Sequence, residues 1–228
     1  MSILCKAHDI VITGGKFIGQ QNYHININRS GINMLLVASA PEAAVDAVEC
    51  DYAPSCFPGT REQYIQDITN RATSNNTNEQ PPIYWMNGPA GVGKYAIAQT
   101  SALKVKDAGY LGAAFFFSIN GRQSDHTRLF PSLAYQLSAV LLGYCSIVNK
   151  RVLTDPTVFQ KTIKAQFEFL IVEPIQHLKE LGKEVSRRTI YIDGLDKCKN
   201  KDAQADIITI IALSVQAQST PFQWVIFS

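Results

Sequence analysis

The feature that most constrains the fold is a glycine-rich segment, Gly88–Tyr95, between a short apolar run and a stretch of helical periodicity. It reads Gly-Pro-Ala-Gly-Val-Gly-Lys-Tyr, follows Ile83–Met86 and opens Lys94–Lys106. A strand, a Gly-x-x-x-x-Gly-Lys turn and a helix in this order are the context of a phosphate-binding loop. Its glycines let backbone N–H groups turn inward around an anion, and the helix N-terminus adds a positive dipole end. The alternative is a glycine-rich turn without a ligand.

The predicted phosphate-binding residues are those of the loop: Gly88, Pro89, Ala90, Gly91, Val92, Gly93, Lys94 and Tyr95. Lys94 supplies an ammonium for the β and γ phosphates. Tyr95 departs from the pattern, because Ser or Thr at this position places a short hydroxyl on Mg²⁺. The tyrosine hydroxyl stands at the far end of a ring and cannot take that coordination position. Either the ring points away and water fills the gap, or the ring blocks the metal.

A second motif follows about a hundred residues later, where the apolar run Thr189–Ile192 ends in Asp193. A strand that ends in aspartate places a carboxylate beside Mg²⁺ and opposite the phosphate loop. Asp193 is therefore the main candidate metal ligand. Asp196 is a second candidate, for which a helix N-cap or a solvent-facing carboxylate is the alternative.

Strand and helix patterns alternate from Pro82 onward. The predicted strands cover 83–86, 111–117, 189–192 and 222–227, and the predicted helices cover 94–106, 129–142, 157–178 and 203–215. This alternation predicts an α/β fold in which helices cover a parallel sheet.

Composition divides the chain into three zones. Residues 1–29 form an arm with a weak strand pattern, either a flexible segment or one that pairs with another chain. Residues 30–81 form a helical segment, in which Thr60 is expected to cap a helix, followed by a polar linker. Residues 82–228 form the α/β core.

Bulk properties exclude several classes of protein. The net charge is +2 and 18% of residues are charged, so neither nucleic acid nor a membrane surface is an expected partner. Five cysteines without a C-x-x-C pair fit a reducing, cytoplasmic location. The uncharged stretch Leu129–Val148 is long enough to span a bilayer, but Ser132 and Gln136 interrupt it, which favours a helix in a protein core. The four histidines have no metal-ligand spacing.

Several motifs in a fixed order together resemble a known family. They are Ala38–Pro41, Cys56–Glu62, Gly88–Lys94, Phe115–Ser118, Leu129–Leu137 and Ile192–Cys198. The sequence resembles the NACHT-type P-loop proteins of basidiomycete fungi that carry a nephrocystin-like N-terminal NTPase domain. These belong to the signal-transducing ATPases with numerous domains (STAND). The resemblance implies a three-layer P-loop NTPase core, with Phe222–Phe227 lying between Ile83–Met86 and Thr189–Ile192.

The resemblance also implies an ATP-dependent switch that self-associates or binds protein partners, usually through a C-terminal repeat array. Three features depart from it. Tyr95 stands where the family mostly has Ser or Thr, and Lys197 stands where it mostly has the Glu that polarises the attacking water. The family also places a γ-phosphate-binding arginine after its last strand, and the sequence ends at Ser228 before such a residue.

The sequence thus predicts a P-loop domain that binds ATP, or alternatively GTP, together with Mg²⁺, and whose hydrolysis is weak or lost. The alternative function is a non-catalytic interaction or oligomerisation module that no longer binds nucleotide. A third function, a small-molecule kinase on the same core, requires an arginine-bearing lid and an acceptor pocket, and neither is identifiable.

Overall fold

A computed structural model describes residues 30–47, 59–74, 81–89 and 91–228. The predicted arm, 1–29, lies outside the described residues. The strands are β1 (Ile83–Met86), β2 (Leu111–Phe116), β3 (Thr189–Asp193) and β4 (Gln223–Phe227). The helices are α1 (Gly31–Ala38), α2 (Glu62–Thr73), α3 (Lys94–Asp107), α4 (Leu129–Val140), α5 (Tyr144–Thr154), α6 (Ile163–Phe167), α7 (Glu173–Glu180) and α8 (Lys201–Gln216).

The four strands form one parallel sheet in the order β1-β4-β3-β2. Trp224 of β4 pairs with Ile83 on one side and with Ile190 on the other. The predicted α/β fold and the predicted position of β4 are therefore confirmed. Because all strands are parallel, their carboxyl ends meet at the same edge of the sheet.

Side chains along the strands alternate between two cores, one on each face of the sheet. Ile190 and Ile192 pack into a core with α1 and α4 to α8, whereas Tyr191 packs into a second core with α2 and α3. β2 and β4 alternate in the same way, whereas Trp85 of the edge strand β1 is half exposed. Burial on both faces explains why the strand sequences are apolar almost throughout, and it produces three layers with the sheet in the middle.

The polar residues that interrupt the uncharged stretch form internal hydrogen bonds. The Gln136 side chain donates to the Ala114 carbonyl (2.8 Å) and accepts from the Ala114 N–H (2.9 Å), so α4 covers the outer edge of β2. The buried Ser132 hydroxyl accepts from the Ala40 N–H at 2.8 Å. Among the described residues, no helix is both long and apolar enough to cross a membrane.

The structure corrects three predicted helix boundaries. The helix predicted over 129–142 ends at Val140, and α5 follows Gly143 as a separate helix. The region 157–178 contains a π-helical turn, Glu168–Val172, between α6 and α7. Pro174, whose missing N–H interrupts the helical hydrogen-bond ladder, lies two residues after the end of this turn. Finally, α2 is preceded by Arg61 rather than Thr60 at its N-cap position.

The Tyr144 hydroxyl donates to the Leu170 carbonyl inside the larger core, so it fixes the π-helical turn to α5. Tyr144 is completely buried. We predict that Tyr144→Phe lowers the free energy of unfolding by about 1–3 kcal/mol, because the carbonyl loses its donor in a buried site. Urea unfolding measures the change, with Tyr64→Phe at a largely exposed position as the control. Equal stability of the two variants contradicts the prediction.

Candidate phosphate-binding site

The predicted loop and the predicted acidic residue lie at the same edge of the sheet. Gly88 follows β1, and Asp193 is the last residue of β3. The end of β4 lies between them, where the Gly88 N–H donates to the Ser228 carbonyl at 3.3 Å and the Ser228 N–H donates to Met86 at 3.2 Å. The sheet itself therefore brings the two motifs together, although about a hundred residues separate them in the sequence.

The loop closes on itself through Lys94. The Lys94 ammonium donates to the carbonyls of Gly88 (2.5 Å) and Pro89 (3.0 Å). Gly93 precedes α3 with φ +84°, a left-handed conformation that favours glycine. It places Lys94 at the start of a helix of fourteen residues, whose N-terminus attracts anions. Gly91 and Val92 are exposed at the tip of the loop, and Ala90 lies outside the described residues.

Arg61 reaches the loop from outside the core. A Cβ atom at Gly93 would lie only 2.2 Å from Nη1 of Arg61, so the guanidinium rests directly on this glycine. Arg61 directly precedes α2 and has a left-handed backbone, φ 58°. Surface arginines more often form solvent-exposed ion pairs than contact a ligand-binding loop. The sequence alone does not show which of these roles Arg61 has. Here the helix before the core adds a positive charge beside the loop.

Asp193 is buried, with 2% of its surface exposed. Its Oδ2 atom has no hydrogen-bond partner among the described residues. Burial raises the pKa of Asp193 to about 6, and the positive charges of Lys197 and Lys94 partly oppose this shift. The carboxyl group thus lies within electrostatic reach of both lysines and has an unused acceptor.

The chain turns sharply after Asp193. Gly194 has φ +66°, and a Cβ atom there would lie 2.9 Å from the Phe117 carbonyl oxygen, so the close approach requires glycine. A 3-10 turn, Leu195–Lys197, follows and brings the Lys197 stem back over Gly194. Asp196 lies exposed on this turn. It does not cap α8, because the Asn200 side chain accepts from the N–H groups of residues 202 and 203.

Tyr95 points into the structure rather than into the loop. Its ring packs edge-on against Phe116 of β2, with the ring centroids 5.6 Å apart. The Lys197 ammonium lies over the same ring, 5.6 Å from its centroid. This separation is within the range of a cation–π interaction. Tyr95 and Lys197, the two residues that depart from the motifs implied by the resemblance, therefore interact with each other.

These residues fit a magnesium ion poorly. Mg²⁺ requires octahedral oxygen ligands and is usually held by one or two carboxylates together with substrate phosphates and waters. The Tyr95 ring packs on Phe116, so position 95 supplies no short hydroxyl at the loop, and the positive charge of Lys197 acts electrostatically on the Asp193 carboxylate. No group of three or more His, Cys, Asp or Glu side chains suited to a metal occurs among the described residues. Magnesium binding by Asp193 and Asp196 stays a prediction.

Several other basic side chains have different surroundings. Arg122 forms a bidentate ion pair with Glu42, from Nε to Oε1 at 3.0 Å and from Nη2 to Oε2 at 3.1 Å. This pair joins the segment before α4 to the segment after α1. Lys199 and Lys201 line a surface cavity of about 680 Å³ together with Arg122 and His126. Cys198 is buried and its thiol donates to the Asn200 carbonyl.

A comparison with protein families identifies the chain. The family model described as nephrocystin 3, N-terminal, matches residues 59–228. The chain belongs to the nephrocystin 3 N-terminal family. The match begins just before α2 and includes the loop, the whole sheet and Lys197, so every site residue discussed above lies within the family's domain. No curated protein and no solved structure matches the chain.

The raised pKa of Asp193 makes stability depend on pH in a definite direction. Its ordinary value is 3.8, and the folded value is about 6, so the folded state holds this proton more tightly. Protonation of Asp193 therefore favours the folded state. Its contribution to the free energy of unfolding is fully present below about pH 4 and is lost as the pH rises through about 6. We expect wild-type protein to lose about 2–3 kcal/mol across this window relative to Asp193→Asn.

Urea unfolding at a series of pH values measures the difference. Asp206→Asn, at an exposed position on α8, is the matched control and should keep the wild-type pH profile. Parallel profiles for wild type and Asp193→Asn contradict the prediction.

Proposed function

We propose that this nephrocystin 3 N-terminal domain binds a nucleoside triphosphate, with ATP preferred over GTP, and hydrolyses it slowly or not at all. The observation that carries the proposal is the convergence of the Gly88–Lys94 loop and Asp193 at one edge of a parallel sheet. Open parallel sheets bind their ligands outside the carboxyl ends of the strands.

Three positive groups support an anionic ligand at this edge. The Lys94 ammonium lies on the loop, the Arg61 guanidinium rests on Gly93, and the Lys197 ammonium lies over the ring of Tyr95. The carbonyls that Lys94 now contacts are neutral acceptors, whereas a phosphate adds the attraction between opposite full charges to the hydrogen bond. A polyphosphate therefore offers Lys94 better partners than the loop does.

The order of motifs supports a wider proposal. We infer that the protein is a NACHT-type switch of the STAND class, of fungal origin, and that it acts in the cytoplasm through self-association or protein partners. In such a switch, nucleotide occupancy selects between two conformations, so tight binding with slow turnover suits its role.

A second candidate function is an interaction module that has lost nucleotide binding. The contact between Tyr95 and Lys197 favours it, since both positions differ from those of an active site and each now packs against the other. The two functions differ in one measurable property, the affinity for nucleotide.

Binding should depend on Lys94. We expect Lys94→Ala to weaken ATP affinity about ten- to hundredfold, as the loss of a charged hydrogen bond of about 1–3 kcal/mol predicts. Titration calorimetry measures this, and Lys104→Ala, at an exposed position on the same helix, is the control for lysine removal. Absence of ATP binding by folded wild type would contradict the proposal and favour the interaction module.

Hydrolysis should be low for two separate reasons. Tyr95 lacks the short hydroxyl that seats a metal, and Lys197 replaces the acid that activates water. We expect little phosphate release from wild type, Tyr95→Ser and Lys197→Glu. Tyr95→Ser still lacks the acid at 197, and Lys197→Glu still lacks the short hydroxyl at 95. The double variant should recover turnover far beyond the sum of the single effects.

Phosphate release from the four proteins at saturating nucleotide, with and without Mg²⁺, measures this pattern. Rapid hydrolysis by wild type that Lys94→Ala abolishes would show that a different residue positions the water.

A further inference from the structure

The strongest unexplained feature of the site is the pairing of its two unusual residues. Lys197 comes from the turn after β3 and Tyr95 from the first turn of α3. Nothing in the sequence brings them together, since about a hundred residues separate them. In the structure the Lys197 ammonium lies over the Tyr95 ring, so the two departures form one local arrangement.

The position of Lys197 is determined by packing as well as by charge. Its stem lies on Gly194, where a Cβ atom would be 3.2 Å from Cδ and 3.4 Å from Cε of the lysine. A side chain at 194 would therefore push the lysine stem away by a few tenths of an ångström. The ammonium then has the Tyr95 ring on one side and acts electrostatically on the Asp193 carboxylate.

The Asp193 carboxylate needs a positive partner. It is almost completely buried, and its Oδ2 atom has no hydrogen-bond partner among the described residues. A buried charge without a counter-charge is costly. In a phosphate site of this kind a metal ion usually provides that charge and also neutralises the phosphates. Here the Lys197 ammonium, which lies 5.6 Å from the centroid of the Tyr95 ring, supplies positive charge that acts on this carboxylate.

We propose that Lys197 replaces the magnesium ion, so that the loop binds the polyphosphate of a nucleotide without a metal. The ligand is then the free nucleotide anion, held between the Lys94 and Lys197 ammonium groups with the Arg61 guanidinium alongside. Tyr95 positions the Lys197 ammonium through its ring face. This inference rests on the proposed function, because it specifies the ionic form of the nucleotide that the same site binds.

Metal-independent binding has a clear physical consequence. A chelator removes magnesium but cannot remove an ammonium group that belongs to the chain. In solution magnesium neutralises part of the triphosphate charge, so it weakens attraction to the two lysines while it gains few ligands from the protein. The affinity for ATP should therefore be as high in EDTA as in magnesium, or higher.

The experiment is titration calorimetry of the full chain with ATP, once with excess magnesium and once with EDTA. For wild type we expect the two dissociation constants to agree within about threefold, or binding to be tighter in EDTA. Lys197→Met keeps an apolar stem over Gly194 and Tyr95 but removes the charge. We expect this variant to bind at least about tenfold more weakly in EDTA, and magnesium to recover most of the loss.

Lys199→Met removes a lysine two positions away at an exposed site and is the matched control. It should behave as wild type in both buffers. A purely structural role of Lys197 would weaken binding equally with and without magnesium, and that result would overturn the inference.

The outcomes separate this inference from the proposed function. If wild type binds ATP at least about tenfold more tightly with magnesium than with EDTA, the metal-free site is wrong and nucleotide binding stands. If wild type binds ATP in neither buffer, the proposed function itself fails.

Discussion

The insertion of β4 between β1 and β3 is the constraint on which the rest of the structure depends. β1 carries the glycine-rich loop and β3 carries Asp193, and β4 pairs with both. Without its hydrogen bonds, the loop strand would have no partner in the sheet. The same strand ends in Ser228, whose backbone bonds to Met86 and Gly88, so the last described residues also hold the first residue of the loop.

Because both faces of the sheet are buried, helices must cover it on both sides. Strand residues alternate between two cores, and each face requires its own layer of helices. The edge strand β2 is protected by a side chain rather than by another strand, since Gln136 takes both hydrogen bonds of Ala114. An unpaired strand edge invites aggregation, and a glutamine that mimics a backbone partner removes part of that edge.

The site combines a common framework with an unusual distribution of charge. The loop, the helix N-terminus and the strand-ending aspartate follow the arrangement of a phosphate site. Three cationic side chains, at 61, 94 and 197, surround it, and they come from three different parts of the chain. For the nucleotide site proposed above, this arrangement favours binding more than hydrolysis, because a charged lysine at 197 cannot act as the base that takes a proton from water.

The sequence by itself determined the strands, the parallel fold and the loop, because these depend on local patterns: apolar runs, glycines at a turn and a lysine at a helix start. It also indicated Asp193, since the end of an apolar strand fixes where that residue lies. Thr60 was wrongly predicted as a cap, because Arg61 occupies the N-cap position in a left-handed conformation that sequence patterns do not indicate.

Only the tertiary structure decided which side chains meet at the loop. The contact of Arg61 with Gly93, and that of Lys197 with Tyr95, join segments that lie far apart in the sequence. Such contacts depend on how the helices cover the sheet and on the turn at Gly194. Local sequence patterns therefore do not predict them. The phosphate-loop motif and the resemblance to a family indicated that positions 95 and 197 are unusual, and packing brought the two residues into one local arrangement.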